Sequence, residues 1–88
     1  MNLVYLKQTI EKAILDKRWL KIDFVSTKLA ISRGRVIEPF KIKQKHGEWY
    51  VEAQCYLRND YREFPLEGIQ KIEVISPADY DKEGEEHG

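Results

Sequence analysis

Two arginines stand where the alternation of two predicted strands calls for an apolar side chain. Arg35 and Arg62 each precede a large apolar residue by two positions, and residues two apart share one face of a strand. A guanidinium group on a core-side row is costly unless it meets an acid, backbone carbonyls or a ligand. Two such groups at one end of a barrel could hold a phosphate or carboxylate by paired hydrogen bonds. The alternative is that each arginine pairs with a nearby acid, such as Glu38 or Glu63, or extends to water.

The placement of Arg62 depends on the turn between the third and fourth predicted strands. A two-residue turn at positions 59–60 would pair Cys55 with Phe64 in the core, because directly opposed residues share a face. Arg62 then lies on the same row as Phe64, one step nearer the end of the barrel. In this register Pro65 occupies a hydrogen-bonded position, so either a bulge sits there or the pairing ends before it.

The third predicted strand also presents a polar row that could contact a ligand. Tyr50 and Tyr56, together with Arg58, could form an aromatic and basic surface on which bases stack. Exposed tyrosines of a sheet need no such role, and three glutamates flank the same face, namely Glu48, Glu52 and Glu63. Their charge would oppose a polyanion, so both interpretations of this surface stay open.

The charge of the chain is balanced overall but divided along its length. The chain has 88 residues, a length that suits one domain. It carries 15 Lys/Arg and 15 Asp/Glu. Residues 1–46 hold eleven of the basic groups and four acids, whereas residues 47–88 hold the reverse, and residues 79–88 alone sum to −4. A basic body could bind an anion or nucleic acid. Charge alone favours the simpler interpretation, a solvated surface that segregates its signs.

Several function classes lack their sequence signals. Neither His46 nor His87 has Cys or His partners at metal-ligand spacing, and there is no Gly-rich phosphate loop or nucleophile motif. We therefore predict no metal, no cofactor and no catalytic residue. The single Cys55, predicted to be buried, fits a reducing compartment. No apolar run approaches the roughly 20 residues of a membrane span, so we expect a cytoplasmic protein.

The hydrophobic pattern predicts one helix followed by five short antiparallel strands, an α+β and mainly β layout. Five such strands usually close into a small barrel, since closure removes exposed edges. The predicted domain covers residues 1–77, with the helix at 3–17 and the barrel at 18–76, and an acidic disordered tail follows at 78–88. The predicted strands are 20–24, 35–43, 48–57, 61–66 and 69–75, with loops at 26–34 and 44–47. Asn2 is the predicted N-cap, and Pro39 marks an edge or a bulge.

These elements together resemble the WYL domain, which is named after a Trp-Tyr-Leu triplet and occurs mostly in bacterial transcription regulators. The resemblance covers about residues 9–75 and includes the leading helix and the strand at 20–24. The remaining pieces, in chain order, are RVIEPF at 35–40, WYV at 49–51 and REFPLEGI at 62–69.

The resemblance implies an Sm-like five-stranded barrel. It also implies a regulatory module that usually follows a helix-turn-helix domain and binds nucleotides or single-stranded nucleic acid in a basic groove. Transferred by position, the ligand-facing residues are Arg35, Tyr50 and Arg62, with Arg58 beside them.

The chain departs from the family pattern at four positions. Val51 replaces the Leu of the triplet, and Phe24 stands where the family often has Tyr. Glu67 replaces Asp, and Gly68 stands where the family usually has Arg. The last change removes a basic group from the expected binding surface.

The sequence thus leads to a non-enzymatic, ligand-sensing regulatory domain that binds a nucleotide or a short single strand. The alternative is a small-barrel oligomerisation or protein-interaction module whose arginines form structural salt bridges. Met1 opens directly onto the helix, so we expect either a stand-alone domain or a fragment of a longer regulator. The expected partners are a helix-turn-helix DNA-binding domain or another protein, and a homo-oligomer is compatible with both interpretations.

Overall fold

One helix and five antiparallel strands make up the part of the chain that a computed structural model describes, residues 2–56 and 59–78. The elements are α1 (Leu3–Leu15), β1 (Trp19–Val25), β2 (Ile31–Lys45), β3 (Glu48–Cys55), β4 (Asp60–Pro65), a one-turn 3₁₀ helix (Leu66–Gly68) and β5 (Ile69–Ile75). The strands form one sheet in the order β4-β3-β2-β1-β5. The predicted fold class, a helix followed by a five-stranded, barrel-like antiparallel sheet, is confirmed. The predicted tail falls almost wholly outside the described residues.

Helix α1 begins at its predicted cap and ends two residues earlier than predicted. The Asn2 side chain accepts hydrogen bonds from the backbone N–H groups of Val4 (2.7 Å) and Tyr5 (3.2 Å). At the other end Lys17 adopts a left-handed φ of 54°, and the backbone N–H of Arg18 donates to the carbonyl of residue 13 at 2.8 Å. This pattern is a Schellman closure, which cannot continue a helix. The predicted range 3–17 was therefore too long.

Strand β2 is much longer than its predicted range of 35–43, because the loop before it is shorter than predicted. The backbone N–H groups of Lys28 and Ala30 both donate to the Ser26 hydroxyl oxygen, at 3.3 and 3.1 Å. These bonds confine the connection to about five residues, so the strand begins at Ile31 rather than at position 35.

Pro39 introduces the bulge that its sequence position allowed. Pro39 lies opposite Ala53 and Lys41 lies opposite Glu52, so Phe40 is an extra residue on β2. A bulge bends its strand and increases the local twist. Strand β2 therefore pairs with β1 over its first half and with β3 over its second half, which curves the sheet around the core.

The predicted register between β3 and β4 is wrong. Cys55 lies opposite Asp60, and Phe64 lies opposite Val51 rather than opposite Cys55. The connection is longer than a two-residue turn, with Asn59 in a left-handed conformation at φ 52°. The error shifts the pairing by an even number of positions, so every side chain keeps its predicted face. Pro65, the last residue of β4, ends the pairing.

The core lies between α1 and the inner face of the sheet. Cys55 is buried as predicted, and Trp49 is half-buried against the core with the Lys7 ammonium 3.7 Å from the centre of its ring. The largest fully buried side chains are Phe64, Leu6, Ile10, Leu20, Ile22, Ile37, Leu66 and Val51. They come from the helix and from β1 to β4 together with the 3₁₀ turn, so no single hairpin holds the core alone.

Gly68 is the position where the packing tolerates no side chain. A Cβ atom there would lie 2.6 Å from Phe24 Cε2 and 2.6 Å from the Val25 carbonyl oxygen. Because a backbone oxygen cannot move aside cheaply, we expect Gly68→Ala to cost about 3 kcal/mol or more of unfolding free energy. Gly47→Ala, where nothing lies within 4 Å of the Cβ position, should cost about 1–2 kcal/mol from its positive φ alone. Urea unfolding of both variants tests this, and equal losses would contradict the packing argument.

Candidate anion-binding site

Arg35 is a buried charged residue with an unsatisfied donor. It lies on β2 directly opposite Ile22 of β1, which places it on the core-side row. Only 8 % of its surface is exposed, and its Nε atom has no hydrogen-bond partner among the described residues. Gly34 immediately before it has a positive φ of 63°, and its N–H donates to Asp23 Oδ1 at 2.8 Å. This local irregularity accompanies a register shift of the β1–β2 pairing between Ile22 and Phe24.

Arg62 brings a second guanidinium group to the same phenylalanine ring, that of Phe64. It lies on β4 opposite Ala53, half-buried, on the row that it shares with Phe64. The Cζ atoms of Arg35 and Arg62 lie 5.6 and 5.7 Å from the centre of the Phe64 ring. The two guanidinium carbons are therefore no farther apart than the sum of these distances. Both are in cation–π range of one ring.

The acids that could have neutralised these arginines are otherwise engaged. The Tyr56 hydroxyl donates to Glu38 at 2.7 Å. Glu63 forms ion pairs with Lys43 and with Lys45, the latter at 3.1 Å. Within residues 2–56 and 59–78, no carboxylate forms a salt bridge with either arginine of the pair. A buried cation left without a partner carries a desolvation penalty that a bound anion would relieve.

The other two predicted site residues do not join the pair. Tyr50 lies on the outer face of the sheet, because it is an odd number of residues from Ala53 along a regular strand. Its hydroxyl donates to Glu48 at 3.0 Å, and this hydrogen bond to a carboxylate raises the pKa of Tyr50. Arg58 lies outside the described residues. The structure thus places Arg35 and Arg62 beside the same Phe64 ring and Tyr50 on the opposite face of the sheet.

A ladder of alternating charges covers the outer face of β2, β3 and β4. Lys43 donates to Glu52 at 3.0 Å, and Lys41 lies 3.9 Å from the same carboxylate. Lys43 and Lys45 both pair with Glu63. Two of the three glutamates predicted to repel a polyanion, Glu52 and Glu63, are therefore paired with lysines of β2. The third, Glu48, accepts a hydrogen bond from Tyr50 instead. Sequence reasoning missed this ladder, since only the cross-strand register reveals it.

Two stacked aromatic pairs on the sheet were also missed by the sequence analysis. The bulge brings Phe40 against Tyr61 with ring centres 5.9 Å apart and planes at 10°. Trp19 and Tyr56 stack at 4.3 Å and 19°. The alternation of β2 did not indicate the Phe40–Tyr61 pair. The extra residue in the bulge moves each later side chain of β2 to the face opposite the one that simple alternation predicts.

Signals for metal binding and membrane crossing were sought over the same residues. No group of three or more His, Cys, Asp or Glu side chains in the described ranges is arranged to hold a metal ion. Among those ranges, no helix combines the length and apolar character required to cross a membrane.

The fold is that of a small barrel-like β domain in which two arginines lie beside one buried phenylalanine ring. The chain belongs to the WYL domain family, whose model matches residues 6–74. It is 34% identical over 71 residues to an uncharacterized HTH-type transcriptional regulator, YobV, of Bacillus subtilis strain 168. That alignment covers 80% of this chain and 22% of the regulator, so the chain spans about a fifth of its relative's length.

A solved structure shares the fold. Proteasome accessory factor B/C (PafBC) of Arthrobacter aurescens superimposes with a TM-score of 0.74 at 22% identity. The match covers 85% of this chain and 12% of that one. This likeness shows the fold, and the family-model match over residues 6–74 confirms the predicted family.

The unpaired burial of Arg35 makes a prediction about stability. Replacing a buried charge by an apolar side chain of similar volume is often stabilising, so Arg35→Met should raise the unfolding free energy by about 1–4 kcal/mol. Arg33→Met, two residues away on the same strand but exposed, should change it by less than about 0.5 kcal/mol. Urea denaturation measures both. If Arg35 instead stabilises the fold, Arg35→Met would lower the unfolding free energy.

The charge ladder predicts a pH dependence. The hydrogen bond from Lys43 holds the pKa of Glu52 below its ordinary value of 4.5. A carboxyl whose folded pKa is lowered stabilises the fold above its unfolded pKa, and that stabilisation is lost as the pH falls through the folded value. Glu52→Gln should therefore flatten the fall of the urea midpoint between pH 5 and pH 3. If the urea midpoint of Glu52→Gln falls with pH as steeply as that of the original chain, the ionised Glu52 adds nothing to the unfolding free energy at neutral pH.

Proposed function

We propose that this WYL domain is a non-enzymatic sensory module that binds an anionic ligand between Arg35 and Arg62. The observation that carries the proposal is the buried Arg35, whose Nε has no partner in the described part of the chain. A second guanidinium group faces the same phenylalanine ring. In the ligand-free protein this arrangement is unfavourable, and a ligand with negative charge supplies the missing acceptors.

The ligand class that fits best is a nucleotide or the phosphates of a short single strand. Guanidinium groups bind phosphate oxygens through two parallel hydrogen bonds, which gives direction as well as strength. Arg62 is half-exposed and Arg35 lies deeper, so a phosphate would meet Arg62 first. Tyr50 on the outer face, and Arg58, stay predictions as additional contacts for a longer ligand.

The domain would act as the sensing part of a transcription regulator in the cytoplasm. Its relative YobV is an HTH-type regulator of which the matched region is about a fifth, which supports a helix-turn-helix domain as the partner. A ligand changes such a regulator only when it binds one conformation more tightly than another. The arginine pair would provide that difference if the site is closed in one state and distorted in the other.

The alternative function is a protein-interaction module, and one observation favours it. Phe40 and Tyr61 form an exposed stacked pair, 44 % and 55 % accessible, and exposed aromatic residues are common at interfaces. The dependence of binding affinity on salt concentration discriminates between anion binding and a protein interface. Phosphate binding weakens with a log–log slope as counterions are released, whereas an apolar interface holds or tightens as salt rises.

Binding is tested by titration with fluorescently labelled oligonucleotides of a few nucleotides and with cyclic dinucleotides at low salt. Arg62→Ala should weaken binding roughly 10- to 100-fold, the effect expected for losing a charge-assisted hydrogen bond. It should also reduce the salt slope by about one phosphate contact. Arg33→Ala removes an exposed arginine of β2 and serves as the matched control. Equal effects of the two substitutions, or no binding below about 1 mM, would overturn the proposal.

A further inference from the structure

Strand β5 forms one end of the sheet and leaves its backbone edge unpaired. Within the described ranges it pairs with β1 alone. Residues 70–74 are exposed or half-buried, between the buried Ile69 and Ile75. Val74 is 44 % exposed although it lies opposite the buried Leu20 on the core-side row. An open edge of this kind is a template for pairing with another strand.

The sequence of β5 complements itself. When two copies of a strand pair antiparallel about a two-fold axis, one residue lies opposite its own copy, and its neighbours lie opposite each other. With Ile72 on the axis, Lys71 lies opposite Glu73 of the partner subunit. The two-fold axis repeats this pair, so the interface contains two such pairs of opposite charge. Ile69 likewise lies opposite Ile75 of the partner subunit. The segment IQKIEVI thus pairs opposite charges at positions 71 and 73 and apolar residues at positions 69, 72 and 75. Gln70 lies opposite Val74 of the partner subunit, which is the one mixed pair.

The register is specified by charge. Moving the axis one residue in either direction would set Lys71 against Lys71 of the partner subunit, or Glu73 against Glu73 of the partner subunit. Like charges directly opposed across a strand pair are destabilising. Of these three registers, only the one centred on Ile72 avoids the repulsion.

The charges of β1 extend the same pattern. Glu73 lies opposite Lys21, and Lys71 lies opposite Asp23, within one chain. In the paired sheet, one cross-strand row would contain, in order, Lys21, Glu73, Lys71 of the partner subunit and Asp23 of the partner subunit. The signs alternate through four strands. This continuity is the charge complementarity that identifies the second copy as the occupant of the edge.

The opposite end of the sheet is protected against the same association. Strand β4 pairs only with β3 in the described part, so its outer edge is also open. A two-fold pairing about its middle would oppose Arg62 to itself or Glu63 to itself, and Pro65 at its end cannot donate a ladder hydrogen bond. Of the two edge strands of the described sheet, β5 can therefore pair with a second copy of itself without opposing like charges, and β4 cannot.

We propose that the domain self-associates through β5, with Ile72 on the two-fold axis and two Lys71–Glu73 pairs flanking it. The interface joins two five-stranded sheets into one continuous sheet. It is small, below the size of stable dimer interfaces, so the dimer is concentration-dependent in the isolated domain. The proposal is independent of the anion site, since neither arginine takes part.

Sedimentation velocity of the full chain, from roughly 10 µM to 1 mM, tests the association. Lys71→Glu and Glu73→Lys each place like charges opposite one another twice, so each variant alone should dimerise about tenfold less tightly or worse. An equimolar mixture of the two variants should restore dimers, because each chain then meets the opposite charge. Glu11→Lys, an exposed change on α1, is the control and should leave the association unchanged. Circular dichroism verifies that each variant is folded.

The mixing experiment gives a clear outcome in both directions. Monomeric single variants whose mixture dimerises establish the pairing and its register. A chain that stays monomeric up to about 1 mM overturns the proposal. So does a dimer that both single variants leave intact, because that dimer would use another surface.

Discussion

The burial of Arg35, whose Nε has no hydrogen-bond partner in the described part of the chain, is the constraint on which the rest of the domain depends. A guanidinium group surrounded by Ile22 and Phe64 would ordinarily be excluded from a core. It persists because β2 is fixed on both sides, by β1 over its first half and by β3 over its second. The strand cannot turn over without exposing Ile37. Stability is thus given up at one position, and such losses concentrate where a protein binds its ligand.

The aromatic residues around the arginines leave no room for a side chain at Gly68 in this packing. Phe24 packs edge-on against Phe64, with ring centres 5.2 Å apart at 84°. The same Phe24 ring occupies the space where a side chain at Gly68 would begin. A glycine at position 68 therefore fits this arrangement of Phe24 and of the Val25 carbonyl, and any larger residue would require the backbone to shift.

The sequence predicted those features that depend on local rules. The Asn2 cap, the core face of α1, the Pro39 bulge and the alternation of β3 all follow from residue type and period. The inward facing of Arg62 was also predictable, because facing depends only on parity. The β3–β4 register was not, since it depends on the length of the connection before Asp60, which the residue types of the turn did not specify. The charge ladder depends on that register and could not be seen without it.

Arg35 of the proposed anion site and the β5 edge lie in one cross-strand row. Arg35 is opposite Ile22, and Ile22 is opposite Ile72, so a single core residue separates the buried guanidinium from the centre of the exposed edge. Packed cores transmit displacement because they have little free volume. A ligand that drew Arg35 toward the rim would act on Ile22 first and on β5 next. Coupling still requires that the ligand bind the paired and unpaired states with different affinity. The shared row supplies a short route for that difference, through three strands that are hydrogen-bonded in register.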